Sequence, residues 1–189
     1  MIAVRKIEVV AYDPKWKDEF KKAKVFYEKL LESLDIHVEH VGSTSIVGLY
    51  AKPILDIDII VKDKKTKVTV IKKLESVGYN HLGTLGIEGR DAFSYNNDHP
   101  NITWMAHHLY VCMAGSINLR NHFLLKKHLN NNTEAVQKYS QLKLELAKKF
   151  PNDIDRYIDG KTDLINSFLK KEGMSLEGLE AIQRINKNQ

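Results

Sequence analysis

Apolar residues recur at two spacings along this chain, and the change between them divides it. Trp16, Phe20, Ala23, Tyr27, Leu30 and Leu34 follow one another at steps of 4, 3, 4, 3 and 4. That period lines one face of a helix, so the aromatics read as core. Asp13 is the expected N-cap and Pro14 the first helical residue. Before this helix, Lys6–Tyr12 reads as a short strand; after it, Ile36–Val41 alternates as a strand should. Ile54–Val61 is a strongly apolar strand that carries two carboxylates. Lys64–Val77 reads as a helix with Val68, Ile71, Leu74 and Val77 on one side, capped by Gly78. Tyr79–Thr84 and Ala92–Tyr95 are weaker strands, and His107–Met113 a stronger one.

After Gly115 the period becomes helical throughout. Asn118–Leu129, Thr133–Phe150 and Ile154–Lys171 read as three helices, the last two separated by Pro151. Ser175–Gln189 is a short helix or a frayed tail. The order predicts an α+β fold: a small mixed β-sheet flanked by helices, with a C-terminal helical bundle. We expect one domain over 1–172, with a core at 1–115 and a helical cover at 116–172, followed by a tail at 173–189.

Composition narrows the class. A chain of 189 residues with 43% hydrophobic and 28% charged residues suits a folded domain rather than a disordered one. A single cysteine, Cys112, excludes an internal disulfide and a Cys-rich zinc site. His99, His107, His108, His122 and His128 lack zinc-ligand spacing. No apolar run is long enough to span a bilayer, and Met1–Lys6 is too poor in apolar residues for a signal peptide, so the expected compartment is the cytoplasm. The net charge of +5 is concentrated between Arg120 and Lys149, which hold seven basic residues against Glu134 and Glu145. That excess suits a small phosphate-bearing ligand. Without a stacking motif or a long Lys/Arg run, nucleic acid is not the expected partner.

The sharpest chemistry lies between two segments. Strand alternation sends Asp56 and Asp58 to one face, about 6 to 7 Å apart, and sends Leu55, Ile57 and Ile59 to the other. Adjacent carboxylates repel, and a hard cation such as Mg²⁺ would relieve that. Gly42-Ser43, just upstream, would cradle phosphate. Such parts make a phosphoryl- or nucleotidyl-transfer site. The alternative is two aspartates on the exposed face of an edge strand. No Gly-x-Ser-x-Gly elbow or Walker A loop is present.

Gly42-Ser43, then twelve residues, then Asp56-Ile57-Asp58-Ile59, resembles the signature of the polymerase-beta-like nucleotidyltransferases. The stretch from His40 to Ile57 resembles a narrower group, the GrpB family. So do Tyr12-Asp13-Pro14-x-Trp16, His108-Leu109-Tyr110-Val111, Asn121-His122, Tyr139-x-x-Leu142-Lys143-x-x-Leu146-Ala147 and Tyr157-x-x-Gly160-Lys161. The resemblance spans roughly residues 6–170. It implies a nucleotidyltransferase fold and two classes of function. One is metal-dependent transfer of a nucleotidyl group from a nucleoside triphosphate to a small acceptor. The other is a non-catalytic accessory or binding module with a protein partner, like the similar domain fused to dephospho-CoA kinase in some bacteria.

Under the enzyme reading, Asp56 and Asp58 hold Mg²⁺, and His108 is a ligand or general base. Gly42, Ser43 and Thr44 orient phosphates, while Lys52, Arg90 and Lys126 offset charge on the leaving pyrophosphate. Lys143 and Lys161 would join Lys126 in a basic wall if the three helices close over the sheet. His40 reads as a hydrogen-bonded structural residue. Two departures from the resembled pattern stand out. The third carboxylate usual on a later strand is missing from His107–Met113, and the family's Phe-Arg-Asp-Tyr-Leu-Arg helix appears as Leu125-Lys126-Lys127-His128-Leu129-Asn130. Lys126 keeps the arginine's charge without its fork.

Overall fold

The computed structural model describes residues 6–96 and 100–187. Met1–Arg5 and His99, which entered the sequence argument, lie outside that range. The elements run α1 (Lys15–Leu30), β1 (Ile36–Val41), a 3-10 turn (Ser43–Ser45), β2 (Leu55–Val61), α2 (Lys64–Ser76), β3 (Tyr79–His81), β4 (Arg90–Tyr95), β5 (His107–Met113), α3 (Ile117–Asn130), α4 (Thr133–Lys149), α5 (Ile154–Lys171) and α6 (Leu176–Lys187). The expected α+β class is what is observed. Among the described residues, no helix is long and apolar enough to cross a membrane.

The five strands form one mixed sheet in the order β1-β2-β5-β4-β3. Only β2 and β5 run parallel; the other neighbours are antiparallel. Leu55, Ile57, Ile59 and Val61 of β2 join Leu109 and Val111 of β5 on one face. There they pack against Trp16, Ala23 and Tyr27 of α1 and Val70 and Leu74 of α2. Burying this face dominates the stability, since each fully buried aliphatic or aromatic side chain contributes about 1.5–3 kcal/mol before entropy is counted. Within it, Tyr27 and Tyr79 hydroxyls meet at 2.6 Å and both reach His107 Nε2. The Trp104 indole N–H donates to His107 Nδ1, so β5 is tied from behind.

Some expectations need correction. Lys6–Tyr12 forms no strand: Val10 makes a single bridge to Ala51, because no neighbouring strand edge extends along it. On α2 and its C-cap, Ile71, Leu74 and Val77 pack against the core as expected, but Val68 is exposed and Val70 is buried instead; one-helix periodicity fixes a face only to within a residue at its edge. Helix α1 starts after Pro14, although Asp13 still accepts from the Lys15 N–H at 2.9 Å. The C-terminal stretch is a helix, α6.

Strand β4 is pinned by a buried carboxylate. Asp91 accepts from Lys67 of α2 at 2.7 Å and from His81 of β3 at 2.8 Å. Burial alone would raise its pKa, but the hydrogen bonds from Lys67 and His81 outweigh it and hold Asp91 below the usual carboxylate value. A depressed carboxylate stabilises the fold above its unfolded pKa, and that contribution is lost as pH falls through the folded value. Asp91→Asn is expected to lower unfolding free energy by about 2 kcal/mol at pH 7. The deficit relative to wild type should shrink below about pH 4, as urea melts across pH would show.

Candidate functional site

The opposite face of the sheet carries the polar residues, in rows fixed by register. Val41, Asp56 and His108 stand side by side; Glu39, Asp58, Tyr110 and Ala92 make the next row; His37, Ile60, Cys112 and Arg90 the third. Because β2 lies inside the sheet, Asp56 and Asp58 are not on an exposed edge. Asp58 is completely buried.

Each carboxylate on this face is answered by a cation or imidazole. His108 Nδ1–H donates to Asp56 Oδ1 at 2.9 Å, leaving His108 Nε2 free on a side chain that is 47% exposed. His122 Nδ1–H, from α3, donates to Asp58 Oδ2 at 2.7 Å. Lys126, one turn further along α3, pairs with Glu39 and also donates to the His40 carbonyl at 2.7 Å. Burial would raise the Asp56 pKa; the His108 hydrogen bond and the charges of His108, His122 and Lys52 overcome that and lower it. Burial would depress His122, and the Asp58 carboxylate reverses this, raising it. Sequence reasoning missed Glu39 and assigned no role to His122, since both depend on register and on which face α3 presents.

Gly42 closes the site beside Asp56. Its φ of +68° lies in the left-handed region, and a Cβ there would stand 2.0 Å from Asp56 Oδ2. Only glycine permits this approach. Ser45 Oγ–H donates back to the Gly42 carbonyl at 2.7 Å and holds the turn. Thr44 faces inward: its hydroxyl donates to the Ile54 carbonyl and receives His40 Nε2–H at 3.0 Å. His40 also stacks on Phe20, and burial pushes its pKa down to about 4, so it is the structural histidine expected.

Helices α3, α4 and α5 close over this face and leave a cavity of about 260 Å³. Gly42, Ser43, Asp56 and Lys126 line it, together with His122 and Lys161. Thr44, Lys52, Arg90 and His108 are not among its lining residues, and Asp58 lies beneath it.

Three lysines gather near Asp56. Lys143 of α4 is 2% exposed and its Nζ has no hydrogen-bond partner; it sits 4.4 Å over the Tyr139 ring. Lys161 of α5 sits 4.4 Å over Tyr157, and Lys52 lies 5.9 Å from the same ring. Among the described residues, none of the three has a carboxylate within ion-pair distance. Burial, then the charge of Lys161, pushes Lys143 down to about 6. Burial, then Lys52, pushes Lys161 to about 8, and burial lowers Lys52 as well. Gly160 allows this crowding, because a Cβ there would meet Leu146 Cδ2 at 2.5 Å. Lys126 and Lys161 both line the cavity, while Lys143 does not and Lys126 is held by Glu39.

A metal here would rest on Asp56 and Asp58. Among the described residues, no three His, Cys, Asp or Glu side chains converge on one point. Two carboxylates still suit Mg²⁺, which commonly takes one or two protein oxygens and completes its shell with water and phosphate. Among the described residues Asp58 Oδ1 is buried without a geometric hydrogen-bond partner, beside the Cys112 thiol, and Asp56 Oδ2 faces the glycine turn, so each aspartate keeps one oxygen outside its histidine hydrogen bond. The donor set fits such an ion. Cys112 is buried, with its thiol pKa raised by that burial, and is inert.

A paired-aspartate strand beside a glycine turn, on a mixed sheet capped by helices, is the architecture of a nucleotidyltransferase-like fold. The family model described as "GrpB protein" matches residues 6–171, and the chain belongs to the GrpB family. It is 32% identical over 174 residues to glutamate-rich protein GrpB of Alkalihalophilus pseudofirmus, covering 90% of this chain and 99% of that one. It is 29% identical over 163 residues to YqkA of Bacillus subtilis, covering 86% of this chain but only 46% of YqkA. Among solved structures, the crystal structure of conserved protein GrpB from Enterococcus faecalis superposes with a TM-score of 0.74 at 28% identity, covering 92% and 98% of the two chains. Cid1 in complex with its short product ApU gives a TM-score of 0.52 at 12% identity, covering 74% of this chain and 43% of Cid1, a likeness of fold alone.

Two outcomes follow from the geometry. Gly42→Ala should drive a methyl into Asp56 and lower the melting temperature, with unfolding free energy down by about 2–3 kcal/mol in denaturant melts. Lys143→Met should instead stabilise the protein by about 1–3 kcal/mol at pH 7, because it removes an unpaired buried amine. The unfolded chain binds a proton at this lysine up to about pH 10.4, whereas the folded chain releases it near 6. Wild-type stability therefore rises with pH across that window, and the variant's advantage should narrow from pH 6 to 9 in thermal melts.

Proposed function

We propose that the protein is a metal-dependent nucleotidyltransferase that moves a nucleotidyl group from a nucleoside triphosphate to a small acceptor. The observation that carries this is the group of three lysines without carboxylate partners, set near Asp56. Buried amines with no counter-ion are costly whether they are held charged or stripped of a proton, and a polyanionic ligand offsets that cost by restoring their charge. The Cid1 likeness supports the fold on which such chemistry is found, though fold alone does not assign it.

In this reading Asp56 and Asp58 would hold Mg²⁺, which would supply charge neutralisation at the phosphates. Lys52, Lys143 and Lys161 take the β- and γ-phosphates, and Gly42 and Ser43 form the rim against which the chain of phosphates lies. His108, oriented by Asp56 through Nδ1, receives the acceptor's hydroxyl proton at Nε2. The acceptor oxygen forms its bond to the α-phosphorus as the bond to the pyrophosphate oxygen breaks. The departing charge falls to the lysines. Lys126, engaged by Glu39, screens that carboxylate.

A second reading, a non-catalytic binding module, draws on β5: where a third carboxylate would stand, the rows carry His108 and Tyr110. Mg²⁺-dependent stabilisation by ATP or another nucleoside triphosphate is expected in thermal-shift assays, by mass action. Asp56→Asn with Asp58→Asn should abolish it. Binding that survives the double substitution would overturn the metal-site assignment; binding without pyrophosphate release across an acceptor panel would favour the module.

A further inference from the structure

Arg90 stands apart from the lysines and is not explained by them. It is the first residue of β4, two strands away from β2 and in the row beyond Tyr110. Its side chain crosses the Tyr110 ring, with Cζ 4.5 Å from the centroid. The residue is 8% exposed, yet its Nε has no hydrogen-bond partner and no carboxylate lies within ion-pair distance among the described residues. Its neighbour Asp91 points to the other face, where Lys67 and His81 hold it.

A guanidinium so deeply placed normally has a forked carboxylate or phosphate partner. Stacking on Tyr110 satisfies its face and leaves its buried Nε unmatched. The Tyr110 ring also lies 6.4 Å from the rings of both His108 and His122. Arg90 is thus reached across one aromatic ring from the free Nε2 of His108. The lysines gather at the other end of the site, where β1 leaves the sheet and β2 enters it.

We propose that Arg90 anchors the anionic end of the acceptor, a small hydroxyl compound bearing a carboxylate or phosphate, on the β4 side of the aspartates. The oxyanion takes the guanidinium edge, and the hydroxyl reaches across Tyr110 toward His108. Triphosphate and acceptor anion then occupy separate cationic seats, with the aspartates between them. The acceptor's role rests on the nucleotidyl-transfer reading; the anion seat itself does not.

The test is titration calorimetry of inorganic phosphate, and separately acetate, into wild type, Arg90→Met, Arg90→Lys and Lys161→Met. Wild type should show two classes of phosphate site. Arg90→Met should remove one, weakening it at least tenfold, and Arg90→Lys should weaken it less. Lys161→Met should remove only the other. Acetate binding that follows phosphate at Arg90 assigns a carboxylate acceptor; phosphate binding alone assigns a phosphate ester. Wild-type affinity for both anions in Arg90→Met, with only a lower melting temperature, would overturn the proposal and make Arg90 structural. If Arg90→Met does not fold, undiminished anion binding in Arg90→Lys overturns it equally. Loss at Arg90 with no effect of Lys161→Met would leave the anion seat standing and remove the lysines' phosphate role instead.

Discussion

Everything on the site face follows from placing two carboxylates on an interior strand and a third beside them on β1. Glu39, Asp56 and Asp58 occupy adjacent register positions, where like charges lie about 5–7 Å apart and destabilise the sheet if left alone. Helix α3 answers two of them, with His122 and Lys126 one turn apart, and β5 answers the third with His108. The helical cover is therefore electrostatically required as well as apolar. Its apolar seat, Ile46 and Leu49 against Leu129, Tyr139 and Phe168, holds the charge-bearing turns where the aspartates need them.

The two halves of the site are built on opposite logic. Around the aspartates, each charge has a partner and the arrangement is internally balanced. Around the lysines, balance is missing, and tyrosine faces substitute for anions. A protein that needed only to fold would gain by replacing such lysines with apolar residues of similar volume. Under the proposed function, keeping them would exchange stability for affinity, a trade common at binding sites.

Much of this could be read in the sequence. Strand period and apolar content located β1, β2 and β5 to within a residue, because alternation and burial act on each strand separately. Gly42 and the aspartate pair were legible because backbone freedom and like-charge repulsion are local. What failed was relational. Glu39 gains meaning only through its register opposite Asp58, and His122 through the face α3 turns downward. Thr44, in a motif-like run, turned inward to His40. Lys6–Tyr12 had strand-like composition but no edge to join. Nothing in Gly89-Arg90-Asp91 says that the Arg90 guanidinium lies over the Tyr110 ring.

Gly160 sets a parameter that no charged residue controls. A glycine inside a helix costs about 1 kcal/mol relative to alanine. Here its missing methyl lets Leu146 of α4 nest against the α5 backbone. Close packing of α5 on α4 keeps water from Lys143 and Lys161, and burial is the largest cause lowering both of their pKa values. Interhelical spacing thus works as a dial on proton occupancy: the chain adjusts the acidity of its ammonium groups by steric means, from a position that bears no charge.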